Sequence, residues 1–213
     1  MSSETPKLGS NYWKLLAGST ISNLGDGIGL IAYPWLASAI TRNPILIALV
    51  AVVQRLPWLL FSLPAGVITD RYDRRSIMVG ANTARAVITL IVAAVVLNRQ
   101  GMLPGPDEVE SIVGTGTDTS LYAMVLLATL LLGMAEVLYD NSGQTLMPSL
   151  VEPSLLEKAN GRLWSTEQVT NQLIGPPLGS ALLILAFSVP FVVDAATFAV
   201  SAALIALIAP TQR

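Results

Sequence analysis

The feature that most constrains this chain is a short charged stretch, Gly66-Val67-Ile68-Thr69-Asp70-Arg71-Tyr72-Asp73-Arg74-Arg75, set between two long apolar runs. The run from Ala48 to Ile68 precedes its charges and the run from Ile77 to Leu97 follows them. Each is long enough to cross a bilayer, which takes ~20 mostly apolar residues. Five charges confined to the turn between such runs describe a tight loop at a membrane face. That one stretch fixes two spans and their connection.

Apolar residues make up 53% of the 213, charged residues only 12%, and the charges are clustered, which leaves no room for a large soluble domain. A net charge of -2 gives no electrostatic reason to bind nucleic acid. The chain has neither Cys nor His. Thiol catalysis, disulfide frameworks, His or Cys zinc sites and Ser-His hydrolysis are therefore excluded. Met1 to Ser10 is polar and carries no cleavable signal, so the first apolar run is expected to remain as a span.

Hydropathy predicts six transmembrane helices, near Trp13–Ala39, Ile45–Ile68, Ile77–Leu97, Leu121–Leu138, Leu163–Ala186 and Pro190–Ala209. The expected fold is thus an all-α integral membrane bundle over 13–209, with 1–12 as an N-terminal segment. On this layout Lys7, Lys14, Arg71, Arg74, Arg75, Lys158, Arg162 and Arg213 fall on one side, and only Arg42 and Arg99 on the other. That asymmetry predicts a multi-pass cell-membrane protein with both termini cytoplasmic. Arg99 to Ser120 becomes the longest external loop. Pro153 to Asn160 reads as a short amphipathic helix on the membrane surface or against a neighbour.

Ionisable side chains inside a span cost roughly 2.5–3.5 kcal/mol each near a helix centre and point to function by default. Six fall within the predicted spans: Asp26, Arg55, Arg85, Glu136, Glu167 and Asp194. Glu167 and Asp194 lie near span ends, where water is expected to reach them. Asp26 lies far from either end of its helix and is the leading coupling or cavity-lining acid, the alternative being a packing salt bridge to Arg55. Arg85 reads as a packing or snorkelling residue.

Asn23, Asp26 and Tyr33 share one helical face, and Glu167, Asn171, Gly175 and Gly179 form a row at i+4 spacing. Asp194, Thr197 and Ser201 line up likewise. Lipid cannot satisfy such faces, so they are expected to share an interior or cavity. Cavity candidates are Asn23, Asp26, Arg55, Glu136 and Asn171.

Gly66-x-x-x-Asp70-Arg71-x-x-Arg74-Arg75 resembles the signature between the second and third helices of Major Facilitator Superfamily transporters, with Asp73 where the family has Gly. Gly175-Pro176-Pro177-Leu178-Gly179 resembles the Gly-Pro motif in the fifth helix of that superfamily's antiporters, without its upstream glycines. Pro148 to Asn160 and Val193-Asp194-Ala195-Ala196-Thr197-Phe198 resemble the drug and siderophore exporter branch, which includes macrolide efflux and enterobactin export proteins. The fourth helix lacks the Arg of a further antiporter motif.

The resemblance implies a transporter and not an enzyme. This chain would be the N-terminal six-helix half, with 210–213 beginning the connection to a second half, exporting drugs or siderophores by alternating access. It implies no cofactor, a proton gradient as energy source, and as partners the lipid bilayer, a small-molecule substrate and a second six-helix half. Asp70 would latch the cytoplasmic gate, oriented by Arg71, Arg74 and Arg75. Gly175, Pro176 and Gly179 would serve helix packing. The alternatives are a channel or assembly subunit acting as an oligomer and, more remotely, an intramembrane protease built on Tyr139-Asp140 and Leu24-Gly25-Asp26.

Overall fold

Proline, asparagine and aspartate set the helix boundaries in the computed structural model, which describes residues 8–99 and 117–209. Every regular element among the described residues is helical. Helix α1 runs over Ser10–Ile40 and stops where Thr41 turns to extended backbone. Asn43 then caps α2, Pro44–Leu60, by accepting the Ile45 N–H at 3.0 Å, with Pro44 in the first turn where a missing N–H costs nothing. Helix α3, Ser62–Arg71, follows after Phe61 at a bend of 52°. Pro64 cannot donate to the Leu60 carbonyl, which weakens the ladder at that bend.

Asp73 caps α4, Arg74–Asn98, accepting the Ser76 N–H at 2.8 Å and its hydroxyl at 2.6 Å. The residue that replaces glycine in the loop motif therefore has a local structural use. Asp118 caps α5, Thr119–Leu146, which continues past Tyr139 and Asp140, so the fourth apolar segment ends later than Leu138. Short 3-10 turns at Met147–Ser149 and Pro153–Leu155 lead into α6, Leu156–Gln168.

The expected surface helix at Pro153–Asn160 is not a separate element. It is the start of a rod that continues through a π-helical stretch, Val169–Ile174, into α7, Gly175–Leu185. Pro176 and Pro177 supply the physical cause. Neither has an N–H for the carbonyls of Gln172 or Leu173, and the hydrogen bonding shifts register there. Helix α8 spans Val189–Ala206.

Among the described residues three helices, α4, α5 and α8, are long and apolar enough to cross a membrane, and the bent α2–α3 pair makes a fourth if it counts as one span. Helix α1 falls short in hydropathy although it is 31 residues long, because it buries polar side chains such as Ser19, Ser22 and Asn23. Residues 1–7 and 210–213, with Lys7, Arg213 and the expected start of a connection, lie outside the described residues, as does most of the expected external loop.

Helix α1 packs against α8, α7, α2 and the π-helical stretch, while α4 is set between α5 and α8. Two apolar clusters form the core. One gathers Leu36, Val92, Val125 and Phe191, the other Tyr12, Met78, Tyr139 and Ile205. Asp26 on α1 and Arg85 on α4 fall in sequence between the layers these clusters occupy on their helices, so the polar site lies between two dry zones.

Candidate functional site

Arg85 is the largest fully buried side chain among the described residues, 1% exposed. One end of its guanidinium, Nη2, forms an ion pair with the Asp26 carboxylate. Nη1 donates to the Ser22 hydroxyl at 3.1 Å and to Asn82 Oδ1 at 3.2 Å, and the group lies 3.9 Å from the Phe198 ring centroid. A cation kept from water needs this combination of carboxylate, neutral acceptors and an aromatic face. Asp26 therefore pairs with Arg85, not with Arg55 as its place in the sequence suggested, and Arg85 does not snorkel.

The network extends further. Asn82 Nδ2 donates to Ser201 at 2.7 Å, and Ser201 donates to the Gly18 carbonyl at 2.7 Å. The Tyr139 hydroxyl lies 3.3 Å from the Ser19 hydroxyl. Side chains from α1, α4, α5 and α8 thus form one polar seam. Asp194 departs from expectation too: it is 2% exposed, not hydrated at a span end.

A cleft opens beside the ion pair, and Asp26, Arg55, Glu136, Asn171 and Asp194 all line it. Glu136 is half-buried, and Arg55 is exposed and ion-paired with no described residue. Asn23 and Asn171 approach each other at 3.5 Å, the Asn171 amide directed at the Asn23 carbonyl oxygen. Asn23 also lines a second cleft with Asp140, Gln144 and Glu167. The arrangement offers fixed charges and amides to a small polar or charged guest, and no paired nucleophile and base.

The glycines allow this closeness. A Cβ at Gly175 would stand 2.5 Å from the Gly27 Cα, and one at Gly179 would stand 2.9 Å from the Ile28 carbonyl oxygen. Pro176 begins α7 beside them. The close-packing use of Gly25, Gly27 and Gly29 of α1 was not foreseen from the sequence. Their alternation around Asp26 was the available signal.

The charged loop sits apart from the cleft. Asp70 and Arg71 are exposed, and Asp70 forms no ion pair with a described residue. Arg74 is half-buried, and a Cβ at Gly66 would meet nothing within 4 Å. Arg75 reaches the Ala206 carbonyl, and Lys14 donates to the Leu207 carbonyl at 2.7 Å. Two cations thereby hold the C-terminal end of α8, a favourable use of the helix dipole at about 0.3–1 kcal/mol each.

The family model described as the Major Facilitator Superfamily matches residues 15–213. The chain belongs to that superfamily. Uncharacterised MFS-type transporters of Mycobacterium bovis and Mycobacterium tuberculosis are each 33% identical to it over 97 residues, or 44% of this chain. The match covers 22% of each relative's length, so it spans only a minor part of those transporters. No solved structure matches significantly. Membership of that superfamily and the apolar helices together make this a membrane protein.

Proposed function

We propose that this chain is the N-terminal, six-span half of a proton-coupled exporter of small organic molecules, of the drug and siderophore kind, working by alternating access. The observation that carries the reading is the cleft lined by Asp26, Arg55, Glu136 and Asn171, where charged groups stand inside an otherwise apolar bundle. Intramembrane charges of this kind mark substrate or ion pathways. Asp26, held by Arg85, is a wall of the cavity, while Glu136, Asn171 and Arg55 face the guest and Asn23 stands behind Asn171.

The cytoplasmic loop is the gate in this reading. Asp70 forms no ion pair with a described residue, so it is available to a second bundle, and Gly66 leaves open space for a helix to approach. Arg75 secures the loop to α8. Arg71 and Arg74 add to the positive charge that holds this face in the cytoplasm of the cell membrane. Gly175, Pro176 and Gly179 set how closely the fifth rod lies against α1.

Reconstitution of the full-length protein in proteoliposomes tests the assignment. Export of an amphiphilic dye or a siderophore should saturate with concentration, run uphill under an imposed proton gradient, and collapse when a protonophore is added. Saturable flux indifferent to the gradient would overturn proton coupling, and flux that never saturates would overturn the carrier in favour of a channel.

A further inference from the structure

The Asp26–Arg85 pair leaves a second buried acid out. Asp194, on α8, is 2% exposed, and its Oδ1 accepts no hydrogen bond from any described residue. Its seat is built from the opposing helix. The carboxyl lies across Gly25 and Gly29 of α1, which are one turn apart. A Cβ at Gly25 would run into Oδ1 of Asp194 and the Thr197 hydroxyl, and one at Gly29 would stand 3.6 Å from Oδ2. A side chain at position 25 would take the space the carboxyl fills.

The groups around Asp194 decide what state it can hold. From α1 come Asp26 and Tyr33, from α2 Arg55, from α4 Arg85 and from α5 Glu136, all lining the same cleft. Helix α7, also packed on α8, has no titratable side chain. Arg85 is the cation nearest to hand, and it is engaged already by Asp26, Ser22, Asn82 and the Phe198 ring. An ionised Asp194 would be a second carboxylate competing for one occupied guanidinium, with no described donor to its buried Oδ1. A carboxylate held away from water and donors is costly, and taking up a proton removes that cost.

We propose that Asp194 is the proton-binding carboxyl of this bundle, with Asp26–Arg85 as the fixed ion pair beside it. The proton's use in export rests on the transporter reading above, but the binding itself does not. Hydronium reaching the cleft transfers its proton to a carboxylate oxygen of Asp194, forming the O–H bond and leaving water. On release the O–H bond breaks, the proton returns to water, and the carboxylate formed competes with Asp26 for Arg85. Because that carboxyl sits on the Gly25 and Gly29 backbone, the change in attraction acts directly at the contact of α8 with α1.

Infrared spectroscopy of the full-length protein in lipid across pH reads the proton without transport. A protonated-carboxyl band should be present near neutral pH, vanish in alkali, disappear in Asp194→Asn, and titrate at lower pH in Asp26→Asn, where the freed Arg85 can pair with the Asp194 carboxylate. Asp194→Asn keeps the shape of the neutral acid, so its melting temperature should equal or exceed the native value. A band that persists in Asp194→Asn, no band in the native protein, or a marked fall in melting temperature for Asp194→Asn would each overturn the assignment. Export indifferent to the proton gradient, in a protein whose Asp194 band titrates, would refute coupling while supporting this site.

Discussion

Arg85 shows what a residue can and cannot disclose before its neighbours are known. Removing one partner of a buried ion pair leaves the other charge uncompensated, at a cost of about 3–5 kcal/mol. Arg85→Gln and Asp26→Asn should each destabilise the protein by that order in thermal or denaturant unfolding, and the double variant by less than their sum. Arg55→Gln, at an exposed site, should change stability by about 0.5 kcal/mol or less. The sequence identified Asp26 and Arg85 as intramembrane charges but not as partners. Helical periodicity gives the face of one helix and not the rotation of that helix against its neighbours. Asp118 offers a test outside the spans. Its carboxyl is held below the ordinary carboxylate range, first by the Ser120 hydroxyl, then by the Leu121 N–H, with Arg99 adding charge. A depressed value means the cap's contribution is intact above the unfolded value and is lost as pH falls through the folded one. Protection of the Leu121 amide relative to its intrinsic exchange rate should therefore fall only in acid below the usual carboxylate range, and a loss of protection near neutrality would contradict this.

At the scale of elements, close approach of backbones decides which glycines matter. Gly27→Ala and Gly175→Ala each force a methyl group into the facing helix and should cost about 1–3 kcal/mol, whereas Gly66→Ala, in open space, should leave stability nearly unchanged. Unfolding of purified variants measures the contrast, and equal effects at 66 and 175 would refute it. The apolar runs and the motif loop were legible because hydropathy and charge clustering are local properties. The fifth rod was not legible in full. Its first turns carry Glu157, Lys158, Asn160 and Arg162, which by composition read as a surface segment, yet they continue without a break into the π-helical stretch and α7. Polar side chains lower the hydropathy of α1 for a related reason: Ser22 donates to Asn82 of α4 and Asn23 to the Ser19 carbonyl one turn away, and both are buried from water.

For the whole molecule, topology and completeness can both be tested with the native absence of cysteine. Tyr72 is 63% exposed at the charged loop, so Tyr72→Cys should be labelled by an impermeant thiol reagent in inverted vesicles and protected in intact cells. Labelling from outside sealed cells would reverse the proposed orientation. Completeness is the harder question. Large apolar side chains stand exposed along α2 and α3, among them Ile45, Val52, Leu59, Leu63 and Val67, and lipid or another bundle can cover these. Lipid cannot cover Asn171, Glu136 and Arg55, which line a cleft that the described helices leave open. A second bundle would enclose that cleft, give Asp70 a partner and allow one half to rock against the other. The 213-residue chain purified alone and reconstituted under a proton gradient should therefore move no substrate, and supplying the second half, covalently or as a separate chain, should restore saturable flux. Activity from a chain shown to be monomeric in the bilayer would refute the half-transporter reading, whereas activity confined to a dimer would make a second copy the missing bundle.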